Sequence, residues 1–363
     1  MKKILIVNTV PTERNGITSV MMNYYCAMDK NDMVVDFVFI NNPEQYYKDE
    51  LSKCGSRYYV LSRSISKIVS YIYKLSKIAR NYDVMHVHGN SATMAFEMFA
   101  AKLGAVKLRL AHGHSSSCEY KLLDKLLRIP FYSLCNCRLT CGEKAGNWLY
   151  GKRGYNVMNN GISTLNYAYN ERARCEIRRM LLLDDSSIVI GHVGNFLPVK
   201  NHDFLVDVFS HLASEDDRYR LVLLGSGYLQ QQIEQKVKEL GLENKVFFLG
   251  SVNNVGEYLS VFDVAVMPSL YEGFPLTIME EQACGLNCVV SDIITREVDV
   301  TGNVHFVSLS DNADVWAKKI RDIVNGNKQR DVLSCDAVKQ IKENGYDMFS
   351  LSENLKGIYL KSI

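Results

Sequence analysis

The sequence has no apolar run of the length that crosses a bilayer, about 18 residues or more. It also has no solenoid repeat and no low-complexity tract. Its ten cysteines show no regular spacing, which argues against a disulfide framework and indicates a reducing, cytoplasmic setting. Cys135, Cys137 and Cys141 lie close together, but no second paired set completes a tetrahedral metal site, so no metal is expected there. What remains is a globular chain of 363 residues with room for two hydrophobic cores.

The charges are divided unevenly along the chain. Residues 1–165 carry 22 Lys and Arg against 12 Asp and Glu, a net charge of +10. The totals of 42 basic and 40 acidic residues then leave 20 and 28, a net charge of −8, for residues 166–363. Lys67, Lys74, Lys77 and Arg80 alternate with apolar residues at helical spacing, which favours an anionic membrane surface over nucleic acid as a partner. An ordinary solvated helix face is the alternative.

Apolar runs of strand length alternate with segments of helical period in both halves. In the first half the runs lie at 4–7, 34–40, 58–61, 84–88 and 107–112, and helices are expected at 17–28, 64–80 and 91–103. In the second half they lie at 188–194, 219–225, 246–250, 264–268 and 287–291. Such alternation predicts parallel sheets covered on both faces. The fold class is therefore α/β, with two Rossmann-like domains.

A polar stretch from about 164 to 187 interrupts the alternation and is interpreted as a linker with an opening helix. The predicted boundaries are 1–165 for the first domain and 166–340 for the second. Residues 341–363 are predicted to be a C-terminal helical segment, which returns to the first domain in one interpretation.

The most informative stretch follows the run that ends at 268. A turn containing Gly and Pro leads into a helix that begins near Leu276 and stops at Gly285. Glu272 precedes this helix and Glu280 lies inside it. A helix N-terminus offers free N–H groups and a favourable dipole end to phosphate, whereas fixed carboxylates suit hydroxyl groups. A sugar nucleotide combines both kinds of group.

This stretch resembles the retaining glycosyltransferases of family 4, whose signature is Glu-x7-Glu. The resemblance implies the GT-B fold, in which two Rossmann-like domains face each other across a deep cleft. It also implies that Glu272 contacts hydroxyls of the donor sugar and that Glu280 accepts hydrogen bonds from the ribose. The backbone that would hold the diphosphate comprises Gly273, Phe274, Pro275, Leu276 and Thr277.

Further segments are similar to the same family. Gly194 and Asn195 open a loop that reaches Lys200, and the family pattern there is Gly-Arg-x4-Lys. Lys200 matches and is expected to neutralise the diphosphate, but Asn195 stands where the family has Arg, which predicts an altered donor preference or rate. The loop at Ser251 and Val252 resembles the one whose backbone contacts the base.

The first half contributes a glycine and four histidines to the expected site. Gly16 matches the glycine loop that approaches donor phosphates and acceptor, although a plain helix-entry glycine fits the sequence as well. His86 and His88 end one strand, and His112 and His114 end the next. His112 best matches the active-site histidine of the family. The H-x-H pairs suggest metal, but no third-ligand pattern accompanies them, and GT-B enzymes generally need none.

These observations predict transfer of a sugar from a nucleoside diphosphate sugar, with UDP-sugars favoured, to a hydroxyl of a lipid-linked saccharide. The resemblance implies retention and surface polysaccharide assembly, such as capsule or exopolysaccharide, with no cofactor and no metal. A peripheral position at the inner face of the cell membrane is expected. The alternatives are a GT-B epimerase and a weakened scaffold subunit, the latter because of Asn195. A nicotinamide-dependent dehydrogenase is disfavoured, since no Gly-x-Gly-x-x-Gly follows the first strand.

Overall fold

The apolar runs and helices form two units in the computed structural model, which describes residues 1–12, 16–326 and 329–361. The first unit comprises Met1–Gly161 together with the C-terminal segment from Gly345, and the second comprises Ile162–Asn344. Each unit buries its own hydrophobic clusters on both faces of one sheet. None of the described helices is both long enough and apolar enough to cross a membrane.

The first unit is built on parallel strands. They are β1 (Lys2–Asn8), β2 (Met33–Phe39), β3 (Tyr58–Val60), β4 (Val84–Gly89), β5 (Leu108–Gly113), β6 (Cys137–Thr140) and β7 (Asn156–Val157). Within the described residues they form one sheet in the order β3-β2-β1-β4-β5-β6-β7. In the register of β4 and β5, His88 lies opposite His112. The carboxyl ends of these two strands therefore deliver imidazole groups to one edge of the sheet.

Helices cover both faces of this sheet. They are α1 (Gly16–Ala27), α2 (Gln45–Lys53), α3 (Ile68–Ala79), α4 (Ala95–Leu103), α5 (Lys121–Leu134), α6 (Glu143–Tyr150) and the C-terminal α14 (Met348–Lys361). Helices α1, α2 and α14 bury their apolar residues in one cluster with β1 and β2. Helices α3, α4 and α5 share a second cluster with residues of the opposite sheet face, such as Leu5 and Val87. The solvent sides of α3, α4 and α5 consequently belong to one outer layer.

The second unit repeats the plan with a parallel sheet in the order β10-β9-β8-β11-β12-β13. Its strands are β8 (Ile188–Val193), β9 (Tyr219–Leu224), β10 (Val246–Phe248), β11 (Val264–Met267), β12 (Asn287–Ser291) and β13 (Val304–Val307). Its helices are α7 (Glu171–Met180), α8 (His202–Glu215), α9 (Gln230–Glu239), α10 (Val255–Leu259), α11 (Leu276–Ala283), α12 (Ala313–Val324) and α13 (Arg330–Glu343). Helices α8, α9 and α12 cover one face, and α7, α10 and α11 cover the other.

The α/β fold class and the ten predicted strands are confirmed, with strand ends that differ by at most two residues. Strands β6, β7 and β13 were not predicted, because each is only two to four residues long and carries polar side chains. The expected helix at 64–80 begins its α-helical part at Ile68, after a 3-10 turn at Ile65–Lys67.

The unit boundary lies after Gly161, so the predicted boundary at 166 is four residues late. The segment that follows packs on the second unit: Tyr169 N–H donates to Ser334 Oγ at 2.9 Å, and Asn170 N–H donates to Ser260 Oγ at 3.1 Å. The C-terminal segment of the first unit starts at Gly345 rather than at 341, because residues 341–343 complete the last turn of α13.

Candidate functional site

The turn between β11 and α11 carries the first predicted carboxylate. Glu272 lies on this turn, and Pro275 is the N-cap residue of α11. No side chain caps the first turn of α11 within the described residues, so its leading N–H groups remain available to an anion. A side chain at Gly273 would meet no atom within 4 Å, which leaves the turn open on that side. This turn therefore combines a helix N-terminus with a carboxylate.

Lys200 lies beside that carboxylate. It ends the 3-10 turn Pro198–Lys200 that follows β8, and its Nζ is 2.7 Å from Glu272 Oε1. Both side chains are largely buried, with 18% of Lys200 and 16% of Glu272 exposed. The two loops are also joined through their backbones, because Leu270 N–H donates to the Val199 carbonyl at 2.8 Å. Lys200 and Glu272 thus form one charged pair at the carboxyl edge of the sheet.

The loop that begins at Gly194 is packed against the end of β9. A Cβ on Gly225, whose φ is +137°, would lie 2.1 Å from the Gly194 carbonyl oxygen, so this contact requires glycine. Phe196 N–H donates to the Ser226 carbonyl at 3.0 Å. Asn195 lies between these contacts and is exposed. The packing holds the loop in place, while the Asn195 side chain stays at the surface.

Val252 lies in the loop after β10, and β10 is the strand next to β9 in the same sheet. Its side chain is half-buried and packs against the cluster under α7, α10 and α11. The preceding residue, Ser251, donates from its hydroxyl to Ser226 Oγ at 3.0 Å. The loops after β8, β9 and β10 are therefore linked at one edge of the second unit.

The second predicted carboxylate, Glu280, lies in α11 and is half-buried. Burial raises the pKa of Glu280 to about 7, and a hydrogen bond from Tyr167 opposes that shift. Next to it, Glu281 is fully buried, and burial raises its pKa to about 8. Its Oε2 has no hydrogen-bond partner among the described residues. Glu281 had no role in the sequence predictions, since a polar residue inside an amphipathic helix carries no sign of burial.

Two histidines next to Lys200 were also missed. His192 is the penultimate residue of β8 and bonds through Nδ1 to the Val266 carbonyl at 2.8 Å. His202 opens α8, and its ring centroid lies 4.7 Å from that of His192 and 4.1 Å from that of Phe196. Burial, together with the Lys200 charge, lowers the pKa of His202 to about 4, so the ring is neutral beside Lys200. The position of His192 at a strand end was the only signal available in the sequence.

In the first unit a cavity of about 420 Å³ lies at the carboxyl edge of the sheet. Its lining comprises Val10, Gly16, Ile17, Asn90, His114, Ser115 and Asn160. Gly16 is the first residue of α1, and a Cβ there would meet nothing within 4 Å. Gly16 therefore leaves the cavity wall open, but no neighbouring atom would exclude a larger residue at this position.

The four histidines of the first unit form a stack beside this cavity. Ring centroids are 4.1 Å apart for His86 and His88, 5.1 Å for His88 and His112, and 4.2 Å for His112 and His114. His86 Nδ1 lies 2.6 Å from the hydroxyl of Tyr359, and His88 Nδ1 lies 2.9 Å from His114 Nε2. Burial lowers the pKa of His86, His88 and His112 far below the usual value, so these rings are neutral.

The ring nitrogens of His86, His88 and His112 lie within 4.8 Å of one another, close enough to hold one metal ion. Both nitrogens of His112 and Nε2 of His86 have no hydrogen-bond partner among the described residues. The third ligand that the sequence pattern did not show is thus supplied by strand pairing. His112 itself is fully buried, whereas His114 lines the cavity.

The comparisons with known proteins decide the family. The family described as "Glycosyl transferases group 1" matches residues 173–344. EpsF of Bacillus subtilis (strain 168), whose name describes it as a glycosyltransferase, is 33% identical over 351 residues, which are 92% of this chain and 90% of EpsF. This chain is a glycosyltransferase of that family. The predicted activity class, a glycosyltransferase, is confirmed.

A second curated relative and a solved structure also match this glycosyltransferase over most of its length. The UDP-Gal:alpha-D-GlcNAc-diphosphoundecaprenol alpha-1,3-galactosyltransferase of Escherichia coli is 26% identical over 320 residues, 84% of this chain and 81% of that protein. HepE of Anabaena, solved with UDP, covers 100% of both chains with a TM-score of 0.79 and 16% identity. It was also solved with UDP-glucose. The similarity of fold confirms the prediction of a GT-B architecture with two Rossmann-like domains.

The predicted site residues of the glycosyltransferase fall into two groups. Those of the second unit lie at the carboxyl edge of its sheet: Gly194, Asn195, Lys200, Val252, Glu272, Gly273, Phe274, Pro275, Leu276, Thr277 and Glu280. Gly16 lies on the cavity of the first unit, and His112 lies in the histidine stack next to it. Their roles toward donor and acceptor stay predictions.

Proposed function

We propose that this glycosyltransferase transfers a sugar from a UDP-sugar to a hydroxyl of a lipid-linked saccharide, with retention at the anomeric carbon. The observation that carries the proposal is the Lys200–Glu272 pair beside the uncapped N-terminus of α11. The names of the relatives support the substrate classes, because the Escherichia coli protein uses UDP-Gal and a diphosphoundecaprenol acceptor. HepE, with the same fold, binds UDP and UDP-glucose.

In the proposed complex the diphosphate accepts hydrogen bonds from the first N–H groups of α11 and meets the charge of Lys200. Lys200 then exchanges Glu272 for the diphosphate. Glu272 is released to accept hydrogen bonds from hydroxyls of the donor sugar. Glu280 takes the ribose hydroxyls, and the backbone at Val252 takes the base. One ion pair thus prepares both the cation and the carboxylate before the donor arrives.

The proposed reaction proceeds on one face of the sugar. The bond from the anomeric carbon to the diphosphate oxygen breaks, the acceptor oxygen bonds to the same carbon, and the leaving UDP takes the acceptor proton. Lys200 and the helix N–H groups stabilise the negative charge that develops on the leaving oxygen. The protein contributes positioning and charge stabilisation, and no cofactor beyond the donor is required. The acceptor is assigned to the first unit, at the inner face of the cell membrane.

Thermal shift with a panel of nucleoside diphosphates tests the donor class. We expect UDP and a UDP-sugar to raise the Tm by mass action, while GDP and ADP at equal concentration have little effect. Lys200→Ala should abolish most of the UDP shift. Incubation of the enzyme with UDP-sugar and a polyprenyl diphosphate saccharide, analysed by mass spectrometry, then tests transfer. No stabilisation by any uridine nucleotide would contradict the proposal, and stabilisation by GDP alone would replace the donor class.

A further inference from the structure

The outer layer of the first unit carries an apolar stripe on α5. Leu122, Leu126 and Ile129 recur at positions i, i+4 and i+7, which is one side of a helix. Their exposed fractions are 75%, 67% and 80%. The opposite side of the helix is buried, as Phe131 and Leu134 show. The stripe is therefore surface that the fold does not cover.

The neighbouring helices of the same layer present similar stripes. On α3 and the 3-10 turn before it, Ile65, Val69 and Tyr73 are exposed at intervals of four residues. On α4, Phe99 and Leu103 are exposed at the same interval. Since α3, α4 and α5 pack side by side on one sheet face, these stripes belong to one surface, which we call the apolar layer. An exposed surface of this kind marks an interaction site.

The charges around the apolar layer are predominantly positive. Residues 65–134 contain ten Lys and Arg against four Asp and Glu, a net charge of +6. Lys121 and Lys125 are exposed beside the α5 stripe, and Lys74 and Lys77 are exposed beside that of α3. The side chain of Lys77 lies 4.4 Å above the ring of Tyr73.

The acidic residues of these helices face inward. Within α3, α4 and α5, all of whose residues are described, the acids are Glu97 and Asp124. Glu97 is buried and bonds Arg63 at 2.7 Å, and Asp124 is buried and bonds Arg128 at 2.8 Å. The outer side of the three helices therefore presents large apolar side chains and cations without a carboxylate between them. This combination of apolar side chains and cations is complementary to an anionic bilayer, which offers acyl chains beneath negatively charged headgroups.

We infer that the apolar layer docks on an anionic lipid bilayer, with Leu122, Leu126 and Ile129 inserted among the acyl chains and Lys121 and Lys125 at the headgroups. Apolar insertion and attraction of lysines to anionic headgroups act together in such docking. The inference rests on the proposed function in one respect, since docking places the enzyme on the surface that holds a lipid-linked acceptor. It narrows the surface that contacts the membrane from the basic half of the chain to one helical layer centred on α5.

Co-sedimentation with vesicles tests this inference with the full chain. The wild-type protein should bind vesicles of phosphatidylglycerol and phosphatidylcholine, bind pure phosphatidylcholine weakly, and lose affinity as salt increases. The triple variant L122S/L126S/I129S and the pair K121E/K125E should each bind about tenfold more weakly or worse. The matched control M180S/L182S removes two exposed apolar side chains of the second unit and should bind as the wild type does.

Several outcomes would overturn the inference. They are no binding of the wild-type protein to anionic vesicles, unchanged binding of both α5 variants, and a soluble dimer that the triple variant converts to monomer, which would make the layer a protein interface. The thermal shift by UDP separates this test from the proposed donor chemistry. A variant that keeps the UDP shift but loses vesicle binding supports docking, and a wild-type protein that shifts with UDP but ignores vesicles refutes docking alone.

Discussion

Lys200 and Glu272 form an ion pair with 2.7 Å between Nζ and Oε1, although 72 residues separate them in the chain. The pair joins the loop after β8 to the turn before α11. In the proposed reaction Lys200 meets the diphosphate and Glu272 meets hydroxyls of the donor sugar. Substitutions of Lys200 and of Glu272 should therefore differ in their kinetic effects.

Lys200→Ala should lower kcat by about 10²–10³-fold and weaken UDP binding, because it removes the charge that meets the diphosphate. Glu272→Gln should lower kcat with little effect on UDP binding, because UDP lacks the donor sugar whose hydroxyls Glu272 is proposed to contact. Steady-state kinetics and UDP thermal shifts measure both. Lys245→Ala removes the partner of Asp217 at 2.7 Å elsewhere in the unit and serves as the control. Unchanged UDP affinity in Lys200→Ala would remove Lys200 from the diphosphate site.

Asn195→Arg should raise kcat/KM for the donor by about five- to tenfold, which corresponds to ~1 kcal/mol. Asn195 is exposed, so the longer side chain fits without displacing its neighbours, and it adds a second cation near Lys200. Asn195→Gln is the matched control, since it lengthens the side chain without charge. Equal kinetics for the two variants would show that the missing arginine has no electrostatic consequence here.

Binding of the donor should strengthen as pH rises through about 7. Burial raises the pKa of Glu280 to about 7, so the carboxyl is mostly protonated below that pH and mostly ionised above it. Ribose hydroxyls donate more strongly to the ionised form. Calorimetric titration with UDP-glucose, whose diphosphate does not titrate in this range, should give a Kd that falls with rising pH. Glu280→Gln should flatten this dependence, and a parallel pH profile in the variant would assign it to another group.

Glu281 should make the folded protein less stable at alkaline pH. Its folded pKa, raised by burial to about 8, lies above the usual value of 4.5. The contribution of Glu281 to the free energy of unfolding is therefore fully present below about pH 4.5 and is lost as pH rises through about 8. Glu281→Gln should be more stable than the wild type at alkaline pH by about 1–3 kcal/mol, as chemical denaturation measures. Glu280→Gln is the control that separates the titration of Glu280 from that of Glu281. If the stability of Glu281→Gln depended on pH as that of the wild type does, the assignment to Glu281 would be refuted.

Removal of metal ions should leave the transfer rate unchanged. The possible ligands of the first unit, His86, His88 and His112, offer only nitrogen, whereas Mg²⁺ and Mn²⁺ prefer oxygen ligands. Initial rates after dialysis against a chelator, with and without added Mg²⁺, Mn²⁺ or Zn²⁺, test this. A chelator-sensitive rate that Zn²⁺ alone restores, and that His86→Gln abolishes, would instead place a working metal at the histidine stack.

Much of the fold was predictable because strand and helix signals are local. The run at 264–267 and the helix from Leu276 were located from residues within a few positions of each other. The short strands β7 and β13 were not predicted, because two to four residues that include polar ones are too few to show an apolar strand pattern. The site was predictable where residues match a spaced motif, as Glu272, Glu280 and Lys200 do. Burial at Glu281 and His202 was not, because it depends on neighbours from other elements.

The sequence by itself determined the class of fold, which side of a helix is apolar and which residue types lie at the strand ends. Tertiary structure decided which of those residues meet. Parallel pairing of β4 and β5 brought His112 beside His86 and His88, and the order of strands in the second unit brought Lys200 to Glu272. Side-by-side packing of α3, α4 and α5 on one sheet face joined separate stripes into one apolar layer. The physical reason is that periodicity acts over a few residues, whereas contacts between distant residues follow from which apolar faces the sheet must bury.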